Sequence, residues 1–172
     1  MPTVPVYDIR DYDRSAAVAY AHQWAYGRNP AYYDFEKLGG DCTNFASQCL
    51  FAGCGVMNYT PQLGWYYRTV RDRAPAWTGV EFLYNFLTGN LGPGPWAQET
   101  SIDNMEPGDI IQLRTSQDRY HHTPVIVDIR GDRPTLRNIL VAAHSYDADY
   151  RPLASYPIRA IRFLHIEGYR HP

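Results

Sequence analysis

The sequence predicts an α+β fold, with helices first and an antiparallel sheet after them. Apolar residues recur at helical spacing as far as Gly89, the Leu91-Gly92-Pro93-Gly94-Pro95 stretch breaks that pattern, and the remainder carries short β-branched runs separated by turn residues. Helices and strands segregated along the chain imply helices packed on one face of a sheet. At 172 residues the chain fits one domain and is long enough to bury ~70% of its unfolded surface without covalent staples. No internal repeat, low-complexity tract or linker interrupts it.

The first helix is expected from Asp13 to Tyr26. Asp13 or Ser15 caps it, Val18, Ala21, Trp24 and Ala25 form the apolar stripe, and Gly27 with Asn29-Pro30 stops it. A second helix is expected from Cys42 to Ala52, with Cys42, Phe45, Ala46, Cys49 and Leu50 on one face and Gly53 as the C-cap. Pro61, Gly64 and the cluster Trp65, Tyr66, Tyr67 follow in a loop or short helix. A third helix starts at Thr78, with Glu81 completing a capping box, and runs through Val80, Phe82, Leu83, Phe86 and Leu87 to Gly89. The expected strands are Ile110 to Leu113, Thr123 to Ile129, Asn138 to Ser145 and Ile158 to Ile166, with turns at Gly131-Asp132 and Asp147 to Asp149.

Composition excludes several classes. Sixteen basic and eighteen acidic residues give a net charge of −2, and the scattered arginines form no stripe, so nucleic acid and membrane surfaces are not the expected partners. The start, Met1 to Tyr7, lacks the basic and apolar segments of a secretory signal, and no apolar run approaches the ~20 residues of a membrane span. A soluble chain is expected, cytoplasmic if these are its natural ends; an exported protein trimmed at its front would read the same. Three cysteines, Cys42, Cys49 and Cys54, cannot all pair within one chain and lack the spacing of a structural zinc site. Cys42 and Cys49 would lie roughly 10 Å apart along a helix, too far for a bridge. Cys49 reads as a core residue.

Cys42 carries the chemistry. It follows Gly39-Gly40-Asp41 and opens the second helix, where unpaired backbone N–H groups and the helix dipole stabilise a thiolate, the competent nucleophile. A base is offered by Tyr120-His121-His122-Thr123-Pro124, which sets a histidine at the head of a strand. Either His121 or His122 can serve, because Pro124 is tolerated only at a strand start, edge or bulge and a bulge would change which ring points inward. For the group that orients the base, His144 comes first, sharing a strand face with Leu140 and Ala142; Asp147, Ser145 and Asn138 are the alternatives. The alanines at 142 and 143 would let a helix approach closely. Asp41 suits an N-cap. The Trp and Tyr residues, Trp65, Tyr66, Tyr67, Trp77 and Trp96 among them, read as packing, with some available to wall a groove.

Taken together, Gly40-Asp41-Cys42-Thr43-Asn44-Phe45-Ala46-Ser47-Gln48-Cys49-Leu50, Pro107-Gly108-Asp109-Ile110-Ile111, the His122-Thr123 strand start and His144-Ser145-Tyr146-Asp147 resemble the putative amidase domain family of Gram-positive bacteria, a branch of the NlpC/P60-like papain-fold cysteine peptidases and amidases. These motifs run in the family's order from about Asp13 to about Ile166. The resemblance implies a papain-like fold, Cys42 as nucleophile, His122 as base and His144 as the polar third residue. It also implies that Asp41 holds a free amino group of a peptide substrate. The expected activity is amide or peptide hydrolysis through a thioester, on a small or cell-wall peptide, with no cofactor and no metal. Two other readings compete: a peptide-binding module of the same fold that has lost turnover, and a zinc site built from Cys42 with His121, His122 or His144.

Overall fold

The computed structural model describes all 172 residues. In chain order the elements are β1 (Asp8–Arg10), α1 (Arg14–Trp24), α2 (Cys42–Cys54), β2 (Tyr67–Thr69), β3 (Asp72–Arg73), α3 (Pro75–Thr78), α4 (Val80–Gly89), β4 (Gly94–Thr100), β5 (Ile110–Arg114), β6 (Val125–Ile129), β7 (Ile139–Ala143), β8 (Ala148–Pro152) and β9 (Ala160–His171). The fold is α+β, and every strand pairing is antiparallel. The main sheet runs β1-β9-β5-β6-β7-β8, with β4 also on β9 and β2-β3 a separate hairpin. No helix is long and apolar enough to cross a membrane.

Helices cover one face of the sheet, as the segregated pattern requires. Ile110, Val125, Val127, Leu140, Ala142, Leu164 and Ile166 meet Ala17, Ala21, Phe45, Ala46, Cys49, Leu50, Leu83 and Leu87 in one apolar layer. Alternate residues of the same strands, Ile111, Leu113, Ile126, Ile139 and Val141, form a smaller cluster on the other face with Met105 and Leu153. A sheet apolar on both faces explains why its strands read as continuous β-branched runs. Trp65 and Trp77 lie beside α2 with ring centroids 4.7 Å apart, and their indole N–H groups donate to Ser47 Oγ and Asn44 Oδ1, both at 3.0 Å. Burying an indole is favourable when its donor finds such a partner.

Several boundaries moved. Asp13 caps α1 by accepting from Ala16 N–H at 2.9 Å, as expected. Helix α2 runs past Gly53 and ends at Gly55, whose φ of 67° makes the left-handed C-cap. The third expected helix is α4, which starts at Val80 through Gly79 with no capping box; Thr78 instead closes the short α3 before it, and its Oγ1 accepts from Arg73 Nε at 3.1 Å. Trp65 to Tyr67 lead into the β2-β3 hairpin rather than a helix. Strands β1, β4 and β8 escaped the pattern. Both β4 and β8 lie on segments rich in Gly, Pro or Asp, and each is set by pairing with β9 or β7 rather than by its own propensity.

Gly53 is fixed by packing. A β-carbon there would meet Tyr12 Cε1 at 2.3 Å and the Asp13 carbonyl oxygen at 2.9 Å, where the entrance of α1 crosses α2. The Asp13 N–H donates to the Gly53 carbonyl at 2.9 Å, so backbone meets backbone. Gly53→Ala should destabilise the fold by about 2 kcal/mol or more in urea titration, the cost of overpacking against backbone. Gly89→Ala, with nothing within 4 Å of its added carbon, should be neutral or stabilising by a few tenths of a kcal/mol.

Candidate functional site

Cys42 is the first residue of α2, at the wall of a cleft of about 790 Å³. Gly39 and Gly40 precede it with φ of 90° and 100°, a left-handed pair that turns the chain sharply into the helix. The amides of Cys42, Thr43 and Asn44 have no intrahelical acceptor, as at any helix start. His121 and His122 line the same cleft, with Gly40, Ser145, Tyr146, Arg151 and Tyr156.

His122 is brought there by the entry to β6. Leu113 N–H donates to the His122 carbonyl and His121 N–H to the Leu113 carbonyl, both at 3.0 Å, an isolated bridge that pins this pair before the strand proper begins. Pro124 sits just ahead of Val125, the strand-start position where a missing N–H is tolerated. The two rings then diverge. His121 Nε2 accepts from the Thr115 backbone N–H at 3.2 Å and lies 2.8 Å from Thr115 Oγ1, while its carbonyl oxygen lies 3.6 Å from the Cys42 sulfur. His122 Nε2 lies 3.4 Å from the Tyr156 hydroxyl, and the two rings are 5.3 Å apart. No hydrogen bond joins Cys42 to either imidazole; the thiol contacts the His121 carbonyl and, at 3.7 Å, Thr43 Oγ1.

His144 lies where strand alternation places it, on the helix-covered side, stacked on Phe45 at 4.1 Å. It does not touch His122. Its Nδ1 donates to Asp41 Oδ2 at 2.6 Å and its Nε2 faces the Trp24 carbonyl at 2.8 Å, so neither nitrogen is free to orient a second imidazole. The group on His122 is Tyr156, which sequence spacing could not flag because it belongs to a coil before β9. Of the alternatives, Asp147 pairs with Arg28 at 2.9 Å, Asn138 serves the 133–138 turn, and Ser145 lines the cleft near the Asp41 amide.

Asp41 is withdrawn from solvent, 1% exposed, and makes no helix-capping bond. Its Oδ1 accepts from Phe35 N–H at 2.8 Å and Asn44 Nδ2 at 2.9 Å; its Oδ2 takes the His144 N–H and lies 3.6 Å from Arg28 Nε. The carboxylate is fully engaged inside the protein and does not face the cleft, which is the physical difficulty with its holding a substrate amine. No three metal-ligating side chains converge anywhere, so the zinc arrangement lacks its ligand set.

The electrostatics of the site correct the expectation of a resting thiolate. Burial pushes the Cys42 thiol above its ordinary value; hydrogen bonding from Thr43 and Thr123 opposes this, and the Asp41 charge adds to it. Burial, then the neighbouring His121 and Arg151, lowers His122 from 6.5 to about 4. At neutral pH the free protein therefore holds a neutral thiol and a neutral imidazole in the same cleft. Cys49 and Cys54 are unpaired and buried, Cys54 pushed up to about 12 by burial, and neither reaches the cleft.

Two outcomes follow. Asp41→Ala should cost about 3 kcal/mol or more in urea unfolding, since it removes the buried acceptor of the His144 ring, the Phe35 amide and the Asn44 side chain at once. For His122 the unfolded chain binds a proton below about pH 6.5 but the folded chain only below about 4. Its contribution to stability is thus held above pH 6.5 and lost as pH falls toward and through 4. His122→Gln should flatten that part of the melting-temperature profile.

The comparisons bear on the same segments. A family model described as "Putative amidase domain" matches residues 11–166, which includes Cys42, His122 and His144. The uncharacterized protein YhbB of Bacillus subtilis (strain 168) is 33% identical over 144 residues, covering 81% of this chain and 43% of the relative, so the chain spans under half that protein's length. No solved structure matches. With its helix-start cysteine, its paired histidines and nearly its whole length inside the match, the chain belongs to the putative amidase domain family.

Proposed function

We propose that this chain is a cysteine-dependent amide hydrolase of papain-like, NlpC/P60-related type, built as one domain, acting on a peptide such as a cell-wall fragment. The observation that carries the reading is the meeting, in one cleft, of a cysteine at the first residue of a helix and an imidazole at the head of a sheet strand. These elements come from opposite halves of the chain, and a purely structural thiol would have no need of a base beside it.

In this reading Cys42 is the nucleophile and His122 the base, with Tyr156 rather than His144 as the ring's hydrogen-bond neighbour. Because both groups rest neutral, the proton moves as the substrate arrives. Cys42 S–H transfers its proton to His122, the sulfur bonds to the amide carbon, and the backbone N–H groups opening α2 receive the oxyanion. Collapse breaks the C–N bond, and the His122 proton leaves with the amine. Water, deprotonated by His122, then attacks the thioester, releasing the carboxylic acid and restoring the thiol. His144, Asp41 and Arg28 act as positioning residues that hold the loop ahead of Cys42.

The test is turnover of short N-acylated peptides and cell-wall-derived peptides, with acid-quenched intact mass to catch an acyl group on Cys42. Cys42→Ala should abolish product and adduct together. His122→Gln should lower kcat by ~10²–10⁴-fold, the usual contribution of general acid–base catalysis. Unchanged cleavage by the Cys42→Ala protein would overturn the reading.

A further inference from the structure

We propose that Arg151 is a carboxylate-recognition residue of the cleft, assisted by Arg119, so that the substrate carries an anionic group near the bond attacked by Cys42. The inference rests on the hydrolase reading above and adds to it the charge class of the substrate. It begins from the ion pairs of the cleft. Glu81 is the one carboxylate lining it, and Arg162 already holds that group, Nη2 donating to Glu81 Oε2 at 2.7 Å and Nη1 to Oε1 at 3.4 Å. The acids closest in sequence to Arg151 are also engaged: Asp147 with Arg28 and Asp149 with His22, at 2.9 and 2.8 Å. Arg151 and Arg119 have no acidic partner, yet both face the cleft.

Arg151 is also held in place for a ligand. Its guanidinium lies 3.6 Å above the Tyr156 ring; its Nε donates to Ser155 Oγ at 2.8 Å and its Nη2 to the Ser155 carbonyl at 3.4 Å. Nη1 has no partner in the protein. A half-buried, preordered guanidinium with a free donor edge is the group that recognises a carboxylate, since little side-chain entropy remains to be lost on pairing. Tyr156 joins this cation to the proposed base, as its hydroxyl is the contact of His122 Nε2. The groups placed against His122 are Tyr156, His121 and Arg151. Among them the two that disfavour its protonated form are His121 and Arg151. A substrate carboxylate on Arg151 cancels one of those charges and lets the imidazole accept the thiol proton more readily, so that the anionic group both binds and switches on the base.

Two alkylating probes of nearly equal shape separate this from thiol reactivity: iodoacetate, which carries a carboxylate, and iodoacetamide, which is neutral. The quantity read is the ratio of their rates at Cys42, located by peptide mass spectrometry and normalised to free cysteine. At low salt the normalised ratio should exceed one by about five-fold or more, fall toward one in Arg151→Gln, and persist in Arg151→Lys. Glutarate should slow alkylation of the wild type by iodoacetamide and leave Arg151→Gln unaffected. Equal ratios in wild type and Arg151→Gln, with glutarate acting alike on both, overturn carboxylate recognition. The iodoacetamide rate alone, compared with His122→Gln, reads whether His122 activates the thiol, so failure of the hydrolase reading shows separately. Should Arg151→Gln fold poorly, Arg119→Gln supplies the same comparison with a smaller expected change.

Discussion

The buried Asp41 carboxylate is the interaction on which the site depends. It takes a backbone N–H from Phe35, a side-chain N–H from Asn44 in the first turn of α2 and the ring N–H of His144 just past β7, with Arg28 completing the charge balance. One side chain thereby ties the loop before the helix, the helix itself and the sheet. Such a group is expensive to desolvate alone and is stable only when every lone pair is engaged. Because Cys42 is the next residue, the sulfur inherits that rigidity.

This arrangement separates two jobs that a sequence reader would give to one set of residues. The carboxylate and the second histidine hold the geometry, while the thiol and His122, the proposed proton partners, lie in a cleft that favours the neutral form of both. A site that rests uncharged avoids the cost of burying an ion pair before substrate is present. The charges that line it, on Arg119 and Arg151, are cations without an acidic partner in the protein, which under the proposal above favours an anionic ligand.

Packing explains why the site sits where it does. Asn44 and Ser47 face the Trp65-Trp77 pair and accept its indole hydrogens, so polar residues in α2 are spent on holding the aromatic wall. Thr43 meets Thr123 Oγ1 at 3.0 Å, which links the helix directly to the segment carrying His122. The aromatics that wall the cleft are Phe82, Tyr120, Tyr146 and Tyr156, none of them in the Trp-rich cluster that stands out along the chain.

The sequence by itself determined what depends on local order: the two long helices before the sheet, the cysteine at a helix start, the strand-head histidines and the alternation that puts His144 on the helix side. Helical and strand periodicity are written in neighbouring residues, so they survive without knowledge of the rest of the chain. Only the tertiary structure decided that β4 and β8 are strands, that His144 binds Asp41 instead of His122, and that Tyr156 meets His122. Apart from the local β7-β8 pairing, these rest on partners far apart in sequence, Asp41 and His144 by 103 positions and His122 and Tyr156 by 34. Protonation followed the same rule, since burial, the dominant influence on both Cys42 and His122, exists only once the chain has closed around them.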